Sequence, residues 1–107
     1  MNYLKLLIVD DDQRMRESCS MLLETLKIKL PWLEDEYRFQ ITETGTAEEA
    51  KSLIESQKTD ILLLDQHLPG IQGTDLLEYI SSQEIDIQTV MITGNATLDT
   101  AVSAARN

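Results

Sequence analysis

Short apolar runs alternate along this chain with stretches in which apolar residues recur every three or four positions. Leu4 to Val9, Phe39 to Thr42, Ile61 to Leu64 and Val90 to Thr93 are each of strand length and too short for an ordinary helix. After the first run, Met15, Cys19, Leu22, Leu23 and Leu26 repeat at helical spacing, with Asp12 placed to cap the helix they define. Thr46-Ala47-Glu48-Glu49 has the form of a capping box, in which a hydroxyl and a carboxylate satisfy free amides at a helix start. Ala50, Leu53 and Ile54 follow it on one face. A third helix is expected to open near Gly73-Thr74 and to bury Leu76, Leu77 and Ile80. A fourth should open near Thr97 and bury Leu98, Ala101, Val102 and Ala105.

The resulting order is βαβαβαβα. An uninterrupted apolar run such as Ile61 to Leu64 suits a strand covered on both faces, as in a parallel sheet between helices. Phe39-Gln40-Ile41-Thr42 alternates instead and suits an edge. The predicted fold class is therefore α/β. Lys27 to Arg38, with Pro31, Trp32 and the acidic run Glu34-Asp35-Glu36, fits neither neighbouring element and reads as an extended connection. Within it, Trp32 is expected to pack under a loop and the acidic run to face solvent.

Length and composition narrow the picture further. The 107 residues suffice for one domain, spanning 1–107, around a single core. A formal charge of −10 would repel a phosphate backbone, so direct binding of nucleic acid by this piece is not expected. The run Leu6-Leu7-Ile8-Val9 is too short to span a bilayer, and three aspartates follow it directly, so no membrane segment is expected. A lone cysteine, Cys19, has no disulfide partner and fits a reducing, cytoplasmic setting, where it reads as a core residue.

The chemistry gathers at one end of the sheet. In open parallel sheets, ligands bind beyond the carboxyl ends of the strands. There the first strand ends in Asp10-Asp11-Asp12, the third in Asp65-Gln66-His67 and the fourth in Thr93-Gly94-Asn95. One aspartate after a strand is commonly a helix cap, and Asp12 keeps that reading. Asp10, Asp11 and Asp65 together would repel one another unless a hard divalent cation lay among them. Mg²⁺ suits a site that must also admit phosphate oxygens, because it takes few carboxylates and keeps exchangeable waters. With the Thr93 hydroxyl and the room beside Gly94, the set reads as a phosphoryl-transfer site.

Leu7-Ile8-Val9-Asp10-Asp11-Asp12, taken with Leu63-Leu64-Asp65-Gln66-His67-Leu68-Pro69-Gly70, resembles the receiver domains of two-component response regulators. The resemblance covers essentially the whole chain. It implies a flavodoxin-like doubly wound sheet of strand order 2-1-3-4, with Asp65 as phosphoacceptor and Thr93 as switch hydroxyl. It further implies that Mg²⁺ is held by Asp10, Asp11, Asp65 and the backbone carbonyl of His67, whose ring would lie near solvent. Met91 to Val102 resembles more particularly the receivers of NtrC-type activators that work with sigma-54 RNA polymerase. The implied partners are a sensor histidine kinase and a downstream output module, such as an ATPase joined to a DNA-binding domain. The implied role is a signalling switch, not an enzyme beyond its own phosphorylation and dephosphorylation.

The sequence departs from the family in two places. Its members carry a lysine at the end of a fifth strand and then a fifth helix, whereas this sequence stops at Asn107 in helix 4. It is therefore expected to be a receiver incomplete at its C-terminus, with a fifth βα unit missing. Val90-Met91-Ile92-Thr93 would then be left as an edge, favouring a homodimer or poor stability. The connection from helix 1 to strand 2 is also longer than usual. Two other readings compete. Asp10-Asp11-Asp12 also resembles the Asp-x-Asp of haloacid-dehalogenase-like phosphatases, with Asp10 as nucleophile and Asp12 as general acid. The missing lysine would also suit a pseudo-receiver that binds partners without phosphorylation.

Overall fold

The structure, a computed structural model, describes residues 2–29, 31, 32, 34–66, 68, 70 and 72–92. In chain order these form β1 (Asn2–Val9), α1 (Gln13–Glu24), β2 (Tyr37–Thr44), α2 (Ala47–Ser56), β3 (Ile61–Asp65), α3 (Gly73–Ser82) and β4 (Gln88–Ile92). The strands make one parallel sheet of order β2-β1-β3-β4. This is the α/β class and strand order expected. The helix expected near Thr97 lies outside the described residues.

Strand boundaries run past the apolar runs that announce them. β1 begins at Asn2, β2 spans Tyr37 to Thr44, and β4 begins at Gln88. The reason is pairing: β1 and β2 stay in register from Asn2↔Tyr37 to Val9↔Thr44, so backbone bonds carry polar residues into the ladder regardless of side chain. Tyr37 and Arg38, expected in the connection, thus belong to β2. That strand lies at a sheet edge, as its alternation suggested.

Two layers of apolar side chains follow from the alternation along each strand. One contains Leu7, Val9, Leu62, Leu64 and Met91, in register across three strands, packed with Ala47, Ala50 and Ile54 of α2 and Leu76 and Ile80 of α3. Right-handed crossovers put α2 and α3 on this face and α1 on the other, because the chain moves one way from β1 to β2 and the opposite way afterwards. A polar clasp joins α2 to α3. The Tyr79 hydroxyl donates to Glu55 at 2.5 Å, and the Lys51 ammonium sits 4.4 Å from the centre of the Tyr79 ring. That hydrogen bond raises the pKa of the tyrosine, since ionisation would remove its donor.

The second layer is thinner, and here the sequence reading needs correction. No residue of α1 is buried: Met15 is 47% and Leu22 71% exposed, and Cys19 and Leu23 are half-buried; Leu26, expected on the same stripe, lies past the end of the helix and is exposed. Helical spacing fixes which residues share a stripe but not what covers the stripe. α1 lies chiefly over β1 and β2, which leaves its far flank without a neighbouring helix among the described residues. Cys19 is accordingly not a core residue. Trp32, expected under a loop, is 76% exposed. The connection that carries it is pinned instead at its ends, by reciprocal 2.8 Å bonds between Ile28 and Tyr37, and by Asn2, whose side-chain amide donates to Asp35 at 2.9 Å.

Candidate functional site

The carboxyl rim of the sheet is built by three local devices. At the end of β1 the Asp10 amide still donates to the Thr44 carbonyl, at 3.1 Å, so the ladder fixes the first aspartate. The chain then turns into α1. Asp12 caps the helix, its carboxylate accepting from the amides of Arg14 and Met15, while its own amide donates to the Asp10 carboxylate at 2.9 Å. At the end of β3, Gly73 packs against the backbone: a Cβ there would come 2.7 Å from the Asp65 carbonyl oxygen, so α3 can start this close to the strand only with glycine. Asp75 fixes that start, accepting from the Gln72 amide at 3.1 Å. Gly70 has a φ of 78°, a left-handed conformation that glycine adopts without strain, and Leu68 is buried.

These devices bring three predicted site residues together. Asp10, Asp11 and Asp65 each offer a carboxylate oxygen, and the three lie within 4.8 Å of one another. Asp10 and Asp65 are half-buried and Asp11 is exposed, so the cluster opens to solvent on one side. The Asp10 carboxyl is pushed above its ordinary 3.8, first by burial, then by the charge of Asp65 and a hydrogen bond with it, and by the charge of Asp11. The bond from the Asp12 amide opposes the shift. Burial is the larger part of that shift; the smaller part, from the charges of Asp65 and Asp11, is the part that also favours a bound cation. The donors are all hard oxygens and partly open to water, which fits Mg²⁺ or a similar ion. Thr93 and His67 lie outside the described residues.

Sequence reading missed one contributor. The Arg16 side chain reaches back from α1 to donate to the Asp10 carbonyl oxygen at 2.6 Å, and its Nε lies 3.8 Å from Glu43 on β2. An arginine in an amphipathic helix reads as a solvated charge. Only the turn of the β1–α1 loop makes it a neighbour of the aspartates.

The chain belongs to the response regulator receiver domain family, whose model matches residues 6–107. It is similar to the response regulator protein PilR of Pseudomonas aeruginosa, with 30% identity over 95% of this chain and 20% of that one. It is also similar to the C4-dicarboxylate transport transcriptional regulatory protein DctD of the same organism, with 28% identity over 95% of this chain and 20% of that one. Among solved structures, the response regulator TrrA of Thermotoga maritima, in complex with Mg²⁺ and beryllium fluoride, superposes with a TM-score of 0.73. That match has 25% identity and covers 95% of this chain and 81% of that one. The chain spans about a fifth of the length of the curated relatives it matches. Receivers are signalling modules of two-component systems. No described helix is long and apolar enough to cross a membrane.

Proposed function

We propose that Asp65 accepts a phosphoryl group from a phosphohistidine of a sensor histidine kinase. The observation that carries this reading is the convergence of the Asp10, Asp11 and Asp65 carboxylates within 4.8 Å at the rim of the sheet. A carboxylate oxygen of Asp65 attacks the phosphorus as the phosphorus–nitrogen bond breaks. The electron pair departs with the imidazole, which takes up a proton on release. Asp10 and Asp11 would hold Mg²⁺ with Asp65 and the His67 carbonyl. Bound there, the ion neutralises charge on the phosphoryl oxygens. The presence of Mg²⁺ and beryllium fluoride in TrrA supports the same role for the acidic set. The Thr93 hydroxyl is assigned the switch that registers the phosphoryl group and changes the surface read by a downstream partner.

The receiver reading covers residues 1–107 and places them in the cytoplasm, governing an output module that is transcriptional, as the name of DctD suggests. An NtrC-type, sigma-54-dependent output is the finer form of this reading, suggested by the resemblance carried by Met91 to Val102. The phosphatase-like alternative has a specific difficulty. It needs Asp12 as a general acid, yet that carboxylate accepts from two amides of α1. Mapping the acyl phosphate formed with acetyl phosphate and Mg²⁺ decides between them. Label on Asp65, lost in Asp65→Asn, is expected; label retained in that variant and lost in Asp10→Asn would establish the phosphatase-like chemistry.

A further inference from the structure

The peptide group joining Asp10 to Asp11 links the two carboxylates that the β1–α1 loop gives to the acidic cluster, so its orientation sets how they face one another. Its carbonyl is an orphan of the sheet. The ladder ends when the Asp10 amide donates to Thr44, and the next amide on that side, that of Thr46, turns to the Thr44 hydroxyl at 3.5 Å. A carbonyl left at a strand end needs a donor. Arg16 supplies it, at 2.6 Å.

The guanidinium occupies a fitted seat. The Arg16 side chain is only 19% exposed, unusual for a residue of α1, and the Glu43 carboxylate lies 3.8 Å from its Nε. Gly45 forms the third wall: a Cβ there would lie 3.2 Å from the nearer Arg16 nitrogen and 3.9 Å from the Asp10 carbonyl oxygen. Charge and fork geometry suit arginine here, since one group meets both a carbonyl and a carboxylate. The cation faces the backbone of the acidic loop and the carboxylate of Glu43.

We propose that Arg16 is a positioning residue of the acidic site, fixing the Asp10–Asp11 peptide plane and with it the spacing of the two carboxylates that receive a divalent cation. The proposal rests on the reading of that site as a Mg²⁺ site. Partners one step removed from a metal commonly change its affinity by about 10-fold or more when lost.

The test combines Mg²⁺ affinity, from the dependence of melting temperature on Mg²⁺, with the amide resonance of Asp11 in the metal-free chain. Arg16→Met should weaken Mg²⁺ binding by about tenfold and shift the Asp11 resonance. Arg16→Lys, which keeps a donor, should restore part of both. Gly45→Ala should weaken binding while Arg16 is present and add nothing in the Arg16→Met background, because its only effect is to press on the guanidinium. If Arg16→Met fails to fold, the same readouts on Arg16→Lys and Gly45→Ala decide. Unchanged affinity with an unmoved Asp11 resonance overturns the role of Arg16 while leaving the acidic site intact. A wild-type chain that takes up no Mg²⁺ overturns the reading of the site itself, and the proposal with it.

Discussion

The two faces of the sheet are built from the same kind of residue and packed very differently. Towards α2 and α3, Leu7, Val9, Leu62, Leu64 and Met91 join residues of both helices in one buried cluster. Towards α1, Leu6 and Ile8 are buried, but Leu63 and Val90 are half-buried and Ile92 is 41% exposed. The thinner face is also the one whose rows of side chains end in chemistry: Asp10 follows Leu6 and Ile8, and Asp65 follows Ile61 and Leu63, by the alternation of the strand. The dense face therefore anchors the sheet, while the sparse face delivers the carboxylates.

Core substitution draws this contrast most sharply. Leu64→Ala, in the dense layer, should lose about 2–5 kcal/mol in denaturant melts, from lost transfer energy and the cavity left behind. Divalent cation comes next. Mg²⁺ at about a hundred times its dissociation constant should stabilise the fold by roughly 2.7 kcal/mol, because only the folded rim gathers the ligands, and Asp11→Ala should remove most of that gain. A melting temperature that rises equally in the variant would count against the cluster as the binding site.

A smaller effect is expected from pH. The Asp10 pKa is raised in the fold, so the folded state holds that proton more tightly than the unfolded chain. Its contribution is fully present below the ordinary carboxylate pKa and is lost as pH rises through the raised value. Without divalent cations, Asp10→Asn should therefore melt higher than wild type at neutral pH, and the advantage should vanish in acid. An advantage that persisted in acid would point to another cause. The smallest effect belongs to the sparse face: Leu22→Ala, at a side chain 71% exposed, should change stability by less than about 0.5 kcal/mol. A loss like that of Leu64→Ala would erase the distinction between the faces.

Much of this architecture could be read from the chain in advance, and the failures share a cause. The strand Ile61 to Leu64, buried at Leu62 and Leu64 and half-buried at Ile61 and Leu63, the Thr46 cap and the three aspartates are local signals: apolar composition, a hydroxyl before a helix, charge after a strand. Thr46 does cap α2, accepting from the Glu49 amide at 3.2 Å. Asn2, Glu43 and Gln88 could not be placed in strands by composition, because the neighbouring strand puts them there. The stripe on α1 and the indole of Trp32 were legible as patterns but not as environments, since burial depends on a second surface. Arg16 combines both difficulties, being a polar residue whose significance arises only when a loop folds back on it.

The paired bonds between Ile28 and Tyr37 have a consequence of another kind. They close the connection after α1 into a side excursion, anchored at its neck before the chain re-enters the sheet. What hangs beyond the neck is insulated from the rim by the length of β2, from Tyr37 to Thr44. Lengthening a closed loop is thermodynamically mild, about 0.6 kcal/mol for each doubling. The segment around Trp32 is thus a cassette: it can be exchanged, extended or fused to a reporter while the strand register and the acidic cluster stay as they are.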